Sequence, residues 1–245
     1  MVNDVLKSFY ENDASRFWDP RYGMRGRDLT IHPLLNGLSG TLLEYGSGSG
    51  SLLLSLALDD RFSNLVGVDI SESALRNISA AWHDMNLRES KSIDKLKLFT
   101  PVNDSLPMIP DNTFDILLSL DTIEHVINPY VVLDELYRVA KPGATFIISV
   151  PNYGYIKYVL QLLIGRQPVT GSDEPVHRWR VSGWDGWHLH TFTKEGLNVL
   201  LRDCGWEPIL WTGYGDRGKW LGLNYLRTKF PAFWSGALTV VCQRK

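Results

Sequence analysis

The chain has 245 residues, 44% hydrophobic and 21% charged, with 25 basic against 27 acidic side chains and a formal net charge of −2. That length buries a substantial core and suits one large α/β domain. The near-neutral balance, with no Lys/Arg run to neutralise a phosphate backbone, argues against nucleic acid as a partner. Cys204 and Cys242 lie far apart in apolar surroundings and are expected as reduced core thiols. The N-terminus carries acids where a secretory leader needs a basic start, and no apolar run approaches the roughly 20 residues of a membrane span. A cytoplasmic location is expected.

In chain order, residues 1–40 set Phe9, Tyr10, Phe17, Trp18 and Tyr22 among polar residues, and are expected to fold over the C-terminal edge of the first strand. Residues 41–45 read as that strand, 51–58 as an apolar helix and 64–69 as a second strand. Ser71 is a good N-cap, with Glu72 in the first turn, for a helix to about residue 83. Strands are predicted at 95–100 and 114–120. A helix over 129–140 is opened by Pro129 and stopped by the Lys-Pro-Gly at 141–143, and 144–150 is the fifth strand. A helix over 193–204 is closed by Gly205, and strands at 206–211 and 237–243 complete the chain. This β-α-β-α-β-β-α-β order, then α-β-β, predicts a doubly wound seven-stranded α/β sheet, mostly parallel with an antiparallel last strand. We expect a single domain over 1–245, with an N-terminal helical cover at 1–40. The segment 151–192, too long for an ordinary connection and rich in Trp, His, Gly and Pro, is expected as a lid over a substrate.

The most informative stretch is Leu42 to Gly50, LLEYGSGSG, in which Glu44, Gly46, Gly48 and Gly50 alternate ahead of the apolar helix. Glycines there let the backbone turn tightly and bring its N–H groups, with the positive helix end, close to a ligand. Asp69 ends the second strand, where a carboxylate has two acceptor oxygens for the 2′- and 3′-hydroxyls of a ribose. Alternatively, it merely precedes the helix cap at Ser71.

These features resemble the class I S-adenosylmethionine-dependent methyltransferases, over about residues 41–205. Asn103-Asp104-Ser105-Leu106-Pro107, FDILLSLDTIEHV at 114–126 and RVAKPGATFIISVPN at 138–152 are similar to later motifs of that family. HTFTKEGLNVLLRDCGWE at 190–207 matches its small-molecule branch, which includes the ubiquinone-biosynthesis O-methyltransferases. The resemblance implies a Rossmann-like fold and S-adenosyl-L-methionine as cofactor. Gly46 and Gly48 would approach its methionine part, with Ser47 and Gly50 in the same cofactor-binding turn, Asp69 would hold the ribose, and Ile70 would pack on the adenine. Asn103 and Asp104 would form the adenine turn, Leu120 would line the site by its backbone, and Glu44 would orient the turn or receive the ammonium through water. A local Asx turn remains the alternative for Asp104, and solvated surface charge the alternative for Arg25 and Arg27, either of which could pair with the cofactor carboxylate.

The implied reaction is methyl transfer to a small-molecule acceptor, a hydroxyl of a sugar, quinone or phenol, where alignment in a dry site matters most. A hydroxyl acceptor calls for a base, and His125, His188 and His190 are the candidates. Their alternatives are backbone hydrogen bonds in a tryptophan-rich lid. In ubiquinone-type relatives an acid-x-x-Glu-His cluster, here Asp121, Glu124 and His125, can hold a divalent metal; the plainer reading has Glu124-His125 beginning a loop, and no metal is assigned. The stretch at 155–165 reads as an amphipathic helix, with docking on the core favoured over a membrane surface. The rivals are an NAD-dependent oxidoreductase and a non-catalytic cofactor-fold partner protein; Ser51 stands where the dinucleotide fingerprint wants Gly or Ala.

Overall fold

The computed structural model describes residues 2–13, 19, 21, 23, 24, 26–89, 91–172, 175–214 and 223–245. The apolar runs become β1 (Gly40–Tyr45), β2 (Phe62–Val68), β3 (Leu96–Phe99), β4 (Phe114–Leu120), β5 (Ala140–Pro151), β6 (Trp206–Tyr214) and β7 (Ala237–Arg244). They form one sheet in the order β3-β2-β1-β4-β5-β7-β6. β1 to β5 pair in parallel, and β7 runs antiparallel to both β5 and β6. This is the predicted doubly wound, Rossmann-like α/β sheet.

The helices are α1 (Val2–Asp13), α2 (Asp28–Ile31), α3 (Ser51–Leu58), α4 (Glu72–Glu89), α5 (Pro129–Val139), α6 (Ile156–Leu163), α7 (Trp179–Ser182), α8 (Lys194–Asp203), α9 (Leu223–Lys229) and α10 (Pro231–Trp234). Caps set their starts. Ser71 Oγ accepts the Ala74 N–H at 3.2 Å, Asn128 accepts that of Tyr130 at 3.0 Å, and Thr193 that of Gly196 at 3.2 Å. α4 runs past its expected end to Glu89, because no Gly or Pro stops it. β5 starts at Ala140, earlier than expected: Phe114 pairs with Ala140 and Ile116 with Thr145, so the Lys-Pro-Gly is looped out of the ladder as a bulge.

Strand alternation distributes side chains to two cores. Leu42, Ile116 and Leu118 pack with Leu53 of α3 and Ile78 of α4. Leu43, Tyr45 and Leu117 pack on the other face with Leu136 of α5 and Leu197 of α8. Both cysteines are free and buried, as expected. α6 buries no residue fully and leaves Leu163 76% exposed, with Ile164 just past its end 67% exposed. Among the described residues no helix is long and apolar enough to cross a membrane.

β2 lies on one side of β1 and β4 on the other, so the winding reverses between β1 and β4. A sheet of this kind opens a crevice there, beyond the carboxyl ends of the strands.

Candidate active site

The crevice is a cavity of about 350 Å³. Tyr45 and the backbone of Gly46, Ser47, Gly48 and Ser49 form one side; Val68, Asp69, Ile70, Pro101 and Asp104 form the next. Leu120, Asp121, Thr122, His125 and Val126 close the far wall, and Leu6 and Tyr10 of α1, with Arg27, stand over it. Seven of the ten residues carried over for the cofactor, together with His125, therefore share one space. Glu44, Gly50 and Asn103 do not line it, nor do His188 and His190. Arg25 lies outside the described residues, as do Phe17, Trp18 and Tyr22.

The loop's shape follows from its glycines. Gly46, Gly48 and Gly50 have φ of 80°, 52° and 73°, and the Gly46 and Ser47 N–H groups both donate to the Val68 carbonyl, at 2.8 and 3.0 Å. A Cβ on Gly46 would stand 2.2 Å from Thr122 Oγ1. Gly46→Ala is therefore expected to combine left-handed strain with overpacking, about 2–4 kcal/mol together, read as a fall of about 5–10 °C in melting temperature. Gly143 shares the same φ class, at 79°, but has open space around it, so Gly143→Ala should lose clearly less. Equal losses would remove the role of the Thr122 contact.

Asp69 faces the loop: Oδ2 accepts the Gly48 N–H at 2.8 Å and Oδ1 the Ser71 N–H at 2.9 Å. It thus braces the glycine turn and the start of α4 at once. Burial raises its pKa, against the Ser71 and Gly48 N–H groups that favour the charge. Asn103 and Asp104, both at positive φ, are the central pair of a two-residue turn closed by Val102 and Ser105. The turn aims Asp104 at the cavity and leaves Asn103 exposed on its outer side. Burial raises the Asp104 pKa as well.

Glu44 lies under the loop, 2% exposed, with Oε2 lacking any hydrogen-bond partner. Burial pushes its pKa up to about 8, with Asp28 and Asp69 adding to the shift and Arg27 opposing it. Arg27 reaches the cavity from the N-terminal segment, donating through Nη1 to the Leu120 carbonyl at 2.6 Å and to Asp121 Oδ2 at 3.1 Å. Its Nε has no partner.

Asp121 is held on three sides, by Arg27, by the Tyr214 hydroxyl at 2.5 Å and by the Ser149 hydroxyl at 2.8 Å. Burial alone would raise its pKa, but Arg27 and these hydroxyls pull it below the ordinary carboxylate value.

The grouping of Asp121 with Glu124 and His125 is replaced in the structure by another: Glu124, His125 and His188, whose ligand atoms all lie within 4.8 Å of one another. His125 Nδ1 bonds the Trp187 carbonyl at 3.1 Å, and the Tyr10 ring meets His125 edge-on at 5.8 Å between centroids. Burial depresses the His125 pKa to about 4, with His188 adding to it; burial lowers His188 too. Glu124, fully buried, is raised well above its ordinary value by burial and by Asp121.

The spacing of two between His188 and His190 does not make them face one way, because residues 188–190 are not a strand. His188 turns inward to Glu124, whereas His190 Nε2 pins the carbonyls of Val126 and Ile127 at 3.0 and 3.2 Å. Sequence reasoning passed over Tyr214 and the Arg27–Asp121 pair, for which no local pattern exists, whereas Tyr10 stands at the cavity as part of the expected N-terminal cover.

A family model described as a methyltransferase domain matches residues 22–210. The chain is 37% identical over 220 residues to the ubiquinone/menaquinone biosynthesis C-methyltransferase UbiE of Rickettsia bellii (strain RML369-C), covering 84% of this chain and 80% of that protein. It is 34% identical over 153 residues to the mitochondrial ubiquinone biosynthesis O-methyltransferase of Dictyostelium discoideum, covering 61% of this chain but only 46% of that protein. Among solved structures, a SAM-dependent methyltransferase of Thermotoga maritima, described as a possible histamine N-methyltransferase, superposes with a TM-score of 0.64 at 16% identity, covering 97% of this chain and 99% of the other.

Proposed function

The chain belongs to the class I S-adenosylmethionine-dependent methyltransferases, and on that premise we propose that it methylates a hydroxyl of a small planar acceptor, a phenol or hydroquinone. The reading is carried by one observation: His125 stands on the wall of the same cavity that Asp69 and the glycine loop line. The names of the ubiquinone-type relatives support a quinone-like acceptor over a sugar.

The residues present fit the cofactor: the left-handed glycines leave main chain bare at the cavity, and the orphaned Glu44 Oε2 lies beneath it. When bound, S-adenosylmethionine supplies an electrophilic methyl on a cationic sulfur. Gly46, Ser47 and Gly48 would hold the amino-acid end of the cofactor, with Gly50 allowing the turn into α3. Arg27 would meet its carboxylate, and Glu44 its ammonium through water. Asp69 would accept from the ribose hydroxyls, while Ile70, Asp104 and the Asn103 turn would enclose the adenine beside Leu120. α1 and the 151–192 segment exclude water from the acceptor side, as parts of a single domain. His125, whose Nδ1–H is held by the Trp187 carbonyl so that Nε2 is the accepting nitrogen, takes the acceptor's hydroxyl proton.

His125→Ala is expected to lower kcat about 10²–10⁴-fold while leaving S-adenosylmethionine affinity within threefold. Product mass spectrometry after incubation with labelled cofactor and panels of phenols, hydroquinones, sugars and amines tests the acceptor class. Exclusive transfer to nitrogen or ring carbon, or an undiminished kcat in the variant, overturns the reading.

A further inference from the structure

We propose that Tyr214 and Asp121 are positioning residues for Arg27: through them the end of the sixth strand holds the guanidinium with one edge open to the carboxylate of the cofactor. The inference rests on the reading that Arg27 meets that carboxylate, and adds two residues that act through the arginine.

Among the described residues, the hydrogen bonds of the Arg27 side chain all leave from Nη1, to the Leu120 carbonyl at 2.6 Å and to Asp121 Oδ2 at 3.1 Å. Nε has no partner, and Nη2 comes only to 3.7 Å from Asp28 Oδ1. The Nε–H and an Nη2–H point the same way, as one edge of the planar fork, and that edge matches the two oxygens of a carboxylate. Arg27 lines the cavity together with Gly46 and Leu120, where the amino-acid end of the cofactor would lie. A buried cationic N–H without an acceptor is costly, and a ligand carboxylate supplies the acceptor.

Holding Nη1 with an aspartate brings a difficulty. An unsupported carboxylate there would draw the charge of the guanidinium to itself and repel a second carboxylate on the neighbouring edge. Two hydroxyls meet it: Tyr214 donates to Asp121 Oδ2 at 2.5 Å and Ser149 to Oδ1 at 2.8 Å, since an ionised carboxylate only accepts. They stabilise the charge of Asp121, so that Arg27 keeps its attraction for a ligand anion.

Both residues are fixed by backbone as well. Asp121 has a left-handed φ of 50°, a conformation kept by its surroundings, and its N–H donates to the Ser149 carbonyl at 2.9 Å. Tyr214 ends β6, the edge strand, which lies beyond β5 and β7 from β4. It pairs with Ala237 of β7, and its carbonyl accepts the Ser235 hydroxyl at 2.8 Å. The phenol is thereby aimed from the edge of the sheet back to the crevice, and a phenylalanine would fill the same space without the bond.

The test is calorimetric binding of S-adenosylmethionine and of decarboxylated S-adenosylmethionine, which lacks only the carboxylate. Wild-type protein is expected to prefer the former by roughly thirtyfold, within the range of hydrogen bonds to a charged group. Tyr214→Phe should cut that preference at least about fivefold, while binding the decarboxylated analogue within about threefold of wild type. A merely structural role would weaken both ligands together. Because Tyr214 acts through Asp121, Asp121→Asn should cut the preference similarly, and adding Tyr214→Phe to it should change nothing further. Melting curves verify that each variant folds. An unchanged preference in folded Tyr214→Phe, equal weakening of both ligands, or independent losses in the double variant overturns the proposal. Arg27→Gln separates the two readings. If it abolishes the preference while Tyr214→Phe keeps it, Arg27 still meets the carboxylate and only the positioning falls; if Arg27→Gln keeps the preference, both fall.

Discussion

Asp69→Ala is expected to weaken S-adenosylmethionine binding by roughly a hundredfold or more, the largest effect on cofactor affinity of any single change at the cavity. Hydrogen bonds to a charged group contribute about 1.5–3 kcal/mol each, and the carboxylate would offer two to the ribose. Its loss also frees the Gly48 N–H, held now at 2.8 Å, so the glycine loop loses its brace from β2. Asp69→Asn keeps the shape but turns an acceptor into a donor facing either Gly48 or the ribose, and should lose about tenfold or more. Calorimetry of both variants, beside their melting curves, separates binding from folding. An affinity within threefold of wild type in a folded Asp69→Ala protein would sink the ribose assignment.

Glu44→Gln is expected to stabilise the cofactor-free protein above pH 7. The folded pKa of Glu44 is about 8, against an ordinary value of 4.5. Between those values the folded state holds a proton that the unfolded state has released, so stability falls as pH rises from about 4.5 to about 8 and levels off beyond. Fully expressed, the shift corresponds to about 4–5 kcal/mol. Glutamine has no such titration, and the variant should melt about 5–10 °C above wild type at pH 8, with a smaller gain at pH 5. Glu124, also raised, tilts both proteins in the same direction. His125 acts in the acid range with the opposite slope, since its folded pKa of about 4 lies under the unfolded value and stability drops as pH falls between the two. Melts at pH 5, 6.5 and 8 decide the matter: a wild type and variant that track each other at every pH refute a protonated Glu44. A cofactor ammonium should ionise this acid, so wild-type protein, unlike the variant, should release a proton on binding near pH 7. Calorimetry in two buffers of different ionisation enthalpy reads that difference.

The fold and the glycine-loop side of the cavity were legible because the signals are local. Ser51–Leu58 and Phe114–Leu120 fall where their apolar runs put them, and Ser71 caps α4 as its side chain predicts. Ends were less clear: the Lys-Pro-Gly that stops α5 does not delay β5, because a bulge absorbs it within the ladder. The histidines were harder still. A spacing of two predicts a shared face only in a strand, and residues 185–187, with positive φ at Asp185, Gly186 and Trp187, turn the chain before His188.

Sequence alone thus determined the winding of the sheet, the glycine loop and the acid that faces it, since periodicity, left-handed backbone and N-caps are each written in neighbouring residues. Only the tertiary structure decided which charges meet. Arg27 finds Asp121 across 94 residues, and His125 meets Trp187 across 62. Such pairings depend on how the sheet's crossovers bring distant loops to one edge, and the energy that selects them, burial of charge with or without a partner, exists only once that edge has formed.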